Sequence, residues 1–180
     1  MFSVLPGMFG TGGLQELLAQ YREKFPATSP AVHNLCISHA KRVAINKAEN
    51  IRLAPKEAIF IKVAGKQAAK CQAQSFYIWP GLRMLGCVSQ KGIKNGVLYE
   101  VVSCSDDSFS MRDGDTVREY TRKQLIDWFR LPHAQVYAAI QGTEYDDSLC
   151  LWETSHPKFT ARLLYVGLSR ARSAALVSIK

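Results

Sequence analysis

Residues 141–179, QGTEYDDSLCLWETSHPKFTARLLYVGLSRARSAALVSI, decide the fold class. SLCLW (148–152) is a short apolar run of strand type. FTARLLYVGLSRARS (159–173) places Leu164, Gly167, Leu168 and Ala171 on one face at about 100° per residue, the pattern of an amphipathic helix. AALVSI (174–179) reads as a closing strand. A strand, a helix and a strand in that order build a parallel pair joined by a crossover helix.

The alternation recurs upstream. HAQVYAAI (133–140) reads as a buried strand running into Gln141-Gly142. HNLCIS (33–38) reads as a strand feeding the helix HAKRVAINKAENIRL (39–53), in which Val43, Ile45, Ala48 and Ile51 alternate with basic residues. Nearer the N-terminus, Gly12-Gly13 opens a helix with Leu14, Leu17, Leu18 and Tyr21 at helical spacing, closed by Pro26. Between 58 and 120 the helical period vanishes. The runs AIFIKVA, LRMLGCV, VLYEVVS, SFSMR and TVREY are separated by turn signals that include Lys94-Asn95-Gly96 and Asp113-Gly114-Asp115. Several short strands with tight turns predict a small barrel-like module. Thr121 with Gln124 forms a capping-box signature before KQLIDWF, a short helix. The expected fold is α/β, a parallel sheet flanked by helices and interrupted by a small all-β insert.

With 180 residues, 47% of them hydrophobic and 21% charged, the chain can bury a core of ordinary size. Its longest apolar run, Leu163 to Leu168, falls far short of the roughly 20 residues that span a bilayer, so no membrane partner is expected. The first basic residue is Arg22, and Pro6, Gly7 and Gly10 interrupt the start, which is unlike a secretory signal. The cysteines at 36, 71, 87, 104 and 150 form no CxxC pair and match neither a disulfide framework nor a zinc ribbon. No metal site is expected, and reduced thiols suit a soluble intracellular protein of cytoplasm or nucleus. Lys and Arg outnumber Asp and Glu by 23 to 15, a net charge of +8 that favours anionic partners, nucleic acid foremost.

In chemical terms, a glycine directly after a buried strand lets backbone amides approach a phosphate, and a nearby carboxylate can accept from a sugar hydroxyl. An arginine turned away from the core suits the charge that develops on a γ-phosphate, because its planar fork of donors is always cationic. The strings QGTEYD (141–146) and LYVGLSRAR (164–172) combine these features and resemble motifs V and VI of superfamily 1 helicases, in particular the RecD/UvrD-like group. LCISHAKRVAIN (35–46) is similar to motif IV, and GCVSQKGIKNGVLYEVV (86–102) to the segment before the SH3-like insert of many such helicases. The resemblance covers roughly residues 33 to 180.

It implies a parallel RecA-like sheet of the P-loop NTPase type. Residues 33–57 and 121–180 would form the second RecA-like domain, 58–120 the SH3-like insert, and 1–32 an N-terminal extension or linker helix. It further implies that Arg170 is the arginine finger and that Gln141 and Gly142 face the γ-phosphate and the cleft. Glu144 would hold the ribose of ATP, and Arg42 would match the basic residue that motif IV contributes near the nucleotide.

Two departures bear on function. Where the family carries a His-Lys-Ser type stretch before QG, this chain has Ala138-Ala139-Ile140. No GxxxxGK(S/T) loop occurs, nor an apolar strand ending in an Asp-Glu pair. Phosphoryl transfer needs phosphate cradle, magnesium ligands and arginine finger around one nucleotide. The 180 residues alone are therefore expected to hold no ATP or Mg2+ and to hydrolyse none. A complete enzyme would add a first RecA-like domain, in cis or in trans.

For the nucleic acid, single-stranded or duplex DNA with RNA as an alternative, a basic groove with aromatic platforms is needed. Tyr77 and Trp79, the hairpin residues Lys91, Lys94 and Asn95, and His133 ahead of motif V are the candidates. Trp128 and Trp152 read as packing residues. A second reading stays open: a non-catalytic nucleic-acid-binding or regulatory protein built on a degenerate helicase half-domain.

Overall fold

A computed structural model describes residues 11–26, 30–63, 73–90, 92–140 and 143–180. In chain order the elements are α1 (Thr11–Lys24), β1 (His33–Cys36), α2 (His39–Leu53), β2 (Ile59–Ile61), β3 (Phe76–Ile78), β4 (Arg83–Gly86), β5 (Leu98–Cys104) and β6 (Ser108–Asp113). They continue with β7 (Thr116–Thr121), α3 (Arg122–Trp128), β8 (Phe129–Arg130), β9 (Ala134–Val136), β10 (Leu149–Leu151), α4 (Ala161–Leu168) and β11 (Val177–Ile179). They fall into two compact units. One takes the chain up to Arg42 together with Gln135–Lys180, and the other is Val43–Ala134, so the division lies inside α2.

The first unit is α/β. Its four-stranded sheet has the order β11-β10-β1-β9, with β1 parallel to β10 (Leu35 opposite Leu151) and β10 parallel to β11 (Leu151 opposite Ile179). Strands so placed read as continuous apolar runs, and all three residues of β10 are buried. Helices cover them: Leu18 of α1 and Leu164 and Leu168 of α4 join Leu35, Leu149 and Leu151 in one core. The helix that the sequence leaves as an extension or linker thus belongs to this core, with Leu18 fully buried.

Two predicted elements are shorter than their patterns. The strand expected over 133–140 ends at Val136 and continues as a 3-10 turn, Tyr137–Ala139. The helix expected over 159–173 starts behind Thr160, whose hydroxyl accepts from Leu163 N–H, and stops at Leu168. Beyond it the N–H groups of Arg170 and Ala171 tighten onto the carbonyls of Gly167 and Leu168, and Ala171 then forms a parallel bridge with Tyr145. Leu164, Gly167 and Leu168 are buried as the helical period predicts. Arg170 leaves the core because the helix has already ended, not because it occupies the opposite helical face. At Gly167 a Cβ would lie 2.7 Å from Leu151 Cδ2, which is how α4 approaches β10 so closely.

The second unit is antiparallel. Its five strands have the order β7-β6-β5-β4-β8, and β2 pairs with β3 as a separate ribbon. Period-two burial organises it: Tyr99 and Val101 of β5 and Phe109 and Met111 of β6 face the core, where Ile61 and Ile78 of the ribbon join them. The capping box is present, with the Thr121 hydroxyl accepting from Gln124 N–H and the Gln124 side chain accepting from Thr121 N–H. Residues 122–130, read from sequence with the parallel sheet, lie in this unit, because β8 pairs with β4 (Gly86 opposite Phe129). No described helix is long and apolar enough to cross a membrane.

The helix predicted over 39–53 forms as α2, but a different face is buried. Arg42, Asn46 and Asn50 are all at most 2% exposed, whereas Ile51 is 53% exposed. Asn46 donates to Ala134 C=O and accepts from Ala134 N–H, both at 3.0 Å. One turn on, Asn50 donates to Tyr77 C=O at 2.9 Å and accepts from its N–H at 2.7 Å. Each amide thus replaces a missing strand neighbour. Buried backbone groups must find such partners, and that demand overrides the apolar stripe.

Candidate functional site

Tyr145 joins the two sequence motifs of the first unit. Its N–H donates to Arg170 C=O at 2.7 Å, and its C=O accepts from Arg172 N–H at 3.2 Å. The ring is buried against His33, with centroids 4.4 Å apart, and the phenol oxygen accepts from the Gln135 amide at 3.3 Å. Burial pushes this phenol up to about 12, with the Arg170 cation acting in the opposite direction. It is therefore a neutral anchor at neutral pH.

Through that anchor, the 143–146 loop and the residues after α4 form one cluster. Arg170 is half-buried; its Nη1 donates to Thr143 C=O and its Nη2 to Ser169 Oγ, both at 3.4 Å, while Nε is buried with no hydrogen-bond partner. Among the described residues it joins no ion pair. Arg172 takes the carboxylates instead, at 2.8 Å from Asp146 and 3.8 Å from Glu144. Glu144 is largely exposed, so it is open to a hydroxyl donor. An arginine held by neutral oxygens at long range keeps its charge available for an anion. Gln141, Gly142 and Lys91 lie outside the described residues.

Through Tyr145 and Arg172 the structure brings Arg170 and Glu144 into one cluster. Arg42 follows the end of β1, its N–H bonded to Ser38 C=O. Arg42 is 2% exposed, so it is not the solvated helix residue that its neighbours in sequence suggest. Near it, Glu153 has a positive φ of 60° and reaches back over the start of α2. Its carboxylate accepts from the N–H groups of Ile37 and Ser38, both at 2.8 Å, and from the Ser38 hydroxyl at 2.6 Å. Burial acts to raise the Glu153 carboxyl, but the hydrogen bonds from Ser38 and Ile37, with His156 nearby, outweigh it and hold the group below its ordinary value.

The remaining nucleic-acid candidates belong to the antiparallel unit. Lys94 and Asn95 are exposed on the turn before Gly96, whose φ of 85° suits glycine. Trp79 is half-buried and packs against the core of that unit, and His133 is half-buried with its Nε2 enclosed.

No protein-family model and no curated protein matches the chain. Solved structures do match. One, describing DNA unwinding at forked double-stranded DNA by two coordinating Pif1 helicases, has a TM-score of 0.65 at 19% identity, over 95% of this chain and 43% of that one. The chain thus has the fold of part of that Pif1 structure. Bacteroides Pif1 bound to single-stranded DNA matches with a TM-score of 0.59 at 19% identity, over 94% of this chain and 45% of that one. Pif1 from Candida albicans matches with 0.54 at 13% identity, over 94% and 49%. The chain therefore spans less than half the length of these helicases. Within this helicase fold, the carboxylate clamp of Glu153 and the two asparagine clamps of α2 are features that the motifs do not reveal. Asn46 and Asn50 at a four-residue spacing were the available signal, since amides on one face of a helix can serve a strand edge.

Proposed function

We propose that this chain is the C-terminal half of an ATP-dependent DNA helicase of superfamily 1, with 135–180 acting as part of its second RecA-like domain and the antiparallel unit as its SH3-like insert. The observation that carries the reading is the Tyr145 junction, which holds Arg170 next to the 143–146 loop with no carboxylate paired to it among the described residues. The RecD/UvrD-like character of motifs V and VI and the likeness to Pif1 structures support the same class.

In this reading Arg170 donates its fork to the γ-phosphate oxygens of ATP as negative charge develops there, and Glu144 accepts from the ribose. Mg2+ supplies charge neutralisation between the phosphates when it is bound. The sequence carries no GxxxxGK(S/T) loop, so in this reading the metal ligands and the phosphate cradle would come from the first RecA-like domain, in cis or in trans. Gln141 and Gly142 would close the cleft from this side. Arg42, buried at the far end of β1, would act through the position of α2. Single-stranded DNA, the ligand of the Bacteroides Pif1 structure, is the partner that best suits the charge of +8.

Arg170→Ala in the assembly that includes the first RecA-like domain tests the reading. The side chain makes only two long hydrogen bonds, so circular dichroism should be unchanged, while kcat for ATP falls by about a thousandfold or more. Unaltered hydrolysis would remove the finger assignment. One observation favours the non-catalytic scaffold instead: Ala138 and Ala139, at the positions of the family's His-Lys-Ser stretch, are exposed on a 3-10 turn and offer no polar group to a strand. On that reading the wild-type assembly itself hydrolyses no ATP.

A further inference from the structure

We infer that Phe60 and Tyr77, side by side on the outer face of the β2–β3 ribbon, form a stacking platform for the bases of single-stranded nucleic acid, a contact that rests on the helicase reading above. The two residues are directly opposite in the ribbon, with ring centroids 5.1 Å apart and planes tilted by 50°. Their strand neighbours Ile61, Phe76 and Ile78 turn inward and are buried, so the alternation of the strands leaves these rings outside. Phe60 is 50% exposed, Tyr77 is half-buried, and neither is part of the apolar core of its unit.

Such a pair costs hydration without contributing to a core, and the backbone beneath it is held in place. Asn50, itself 1% exposed, bonds both N–H and C=O of Tyr77, so the platform is ordered before any ligand arrives. Preorganisation of this kind lowers the entropy lost on binding. The occupant follows from area and charge. An aromatic side chain offers about 150–250 Å². Two rings therefore fall well short of the roughly 800 Å² per partner of a stable protein interface, whereas one base needs a single ring face. Lys62, exposed just after β2, and the net charge of +8 complement the phosphates that accompany such bases. Phe60 and Tyr77 thus take the role expected of Trp79, which the core occupies.

The test measures binding of the whole 180-residue chain to a fluorescein-labelled oligo-dT of about 12 nucleotides by anisotropy at low salt, with a 5-iodouracil oligonucleotide for cross-linking. Phe60→Leu keeps the apolar volume and removes the ring, while Phe60→Tyr keeps the ring; circular dichroism of both should match wild type, since Phe60 is outside the core. The expected result is a loss of about tenfold in affinity for Phe60→Leu and for Tyr77→Leu, near-wild-type binding for Phe60→Tyr, and cross-links that map to Phe60 or Tyr77. Wild-type binding that both leucine variants retain, with cross-links elsewhere, overturns the platform and leaves the helicase reading standing. Absence of wild-type binding overturns the platform, and the Arg170 assignment is then decided by the hydrolysis assay on the assembly. Self-association of the wild type that Phe60→Leu abolishes overturns the platform by assigning the face to a second copy.

Discussion

Glu153 illustrates how a single residue can matter without belonging to any recognised motif. A glutamate with a φ of 60° is strained, and the strain is balanced by three hydrogen bonds onto the β1–α2 junction. Because its carboxyl is held below its ordinary value, its stabilising effect is complete above the usual carboxylate range and is lost as the pH falls through the lowered value. Glu153→Gln should cost about 1 kcal/mol at pH 7, as loss of a helix cap does, and the gap to wild type should close towards acid pH. Urea midpoints measured from pH 7 down to pH 3 check this, and a gap that stays constant would show that the charge is not involved. At the same end of β1, burial and then the Glu153 charge push the Cys36 thiol up to about 12, which fits the inert buried thiol expected from the cysteine spacing.

At the scale of elements, the helical and strand periods located most segments, but they did not indicate which face of α2 is buried. The stripe Val43, Ile45, Ala48 and Ile51 is a fair amphipathic pattern, but strand edges at Ala134 and Tyr77 need hydrogen-bond partners that only Asn46 and Asn50 provide. Asn46→Ala leaves a buried N–H and C=O of Ala134 unpaired and should destabilise the protein by about 3 kcal/mol, read from urea unfolding. At an exposed position of the same helix, Ala44→Ser should change it by less than about 0.5 kcal/mol, and a similarly small effect at Asn46 would refute the clamp. The shortening of α4 has a related cause. The backbone pairing of Tyr145 with Arg170 and Arg172 competes with continuation of the helix to 173 and prevails.

For the whole molecule, the surplus of positive charge sets the expectation. If the charge of +8 serves a nucleic-acid strand, oligo-dT affinity should fall about tenfold between 50 and 200 mM salt through counterion release. A flat response would identify an ordinary solvated basic surface. The chain forms two compact units and spans less than half of the Pif1 chains it matches. An arginine finger acts only on a phosphate that another domain positions.

Local signals in the chain were enough to place the parallel α/β segments, the antiparallel strands and the Thr121 capping box, because periodicity, caps and turn residues act over a few neighbours. Tertiary structure alone decided that α1 joins the core, that β8 belongs with β4, that Arg42 is buried, and that Phe60 is exposed. These outcomes depend on which distant backbone groups remain to be paired and which apolar surfaces remain to be covered, and only the assembled chain settles either.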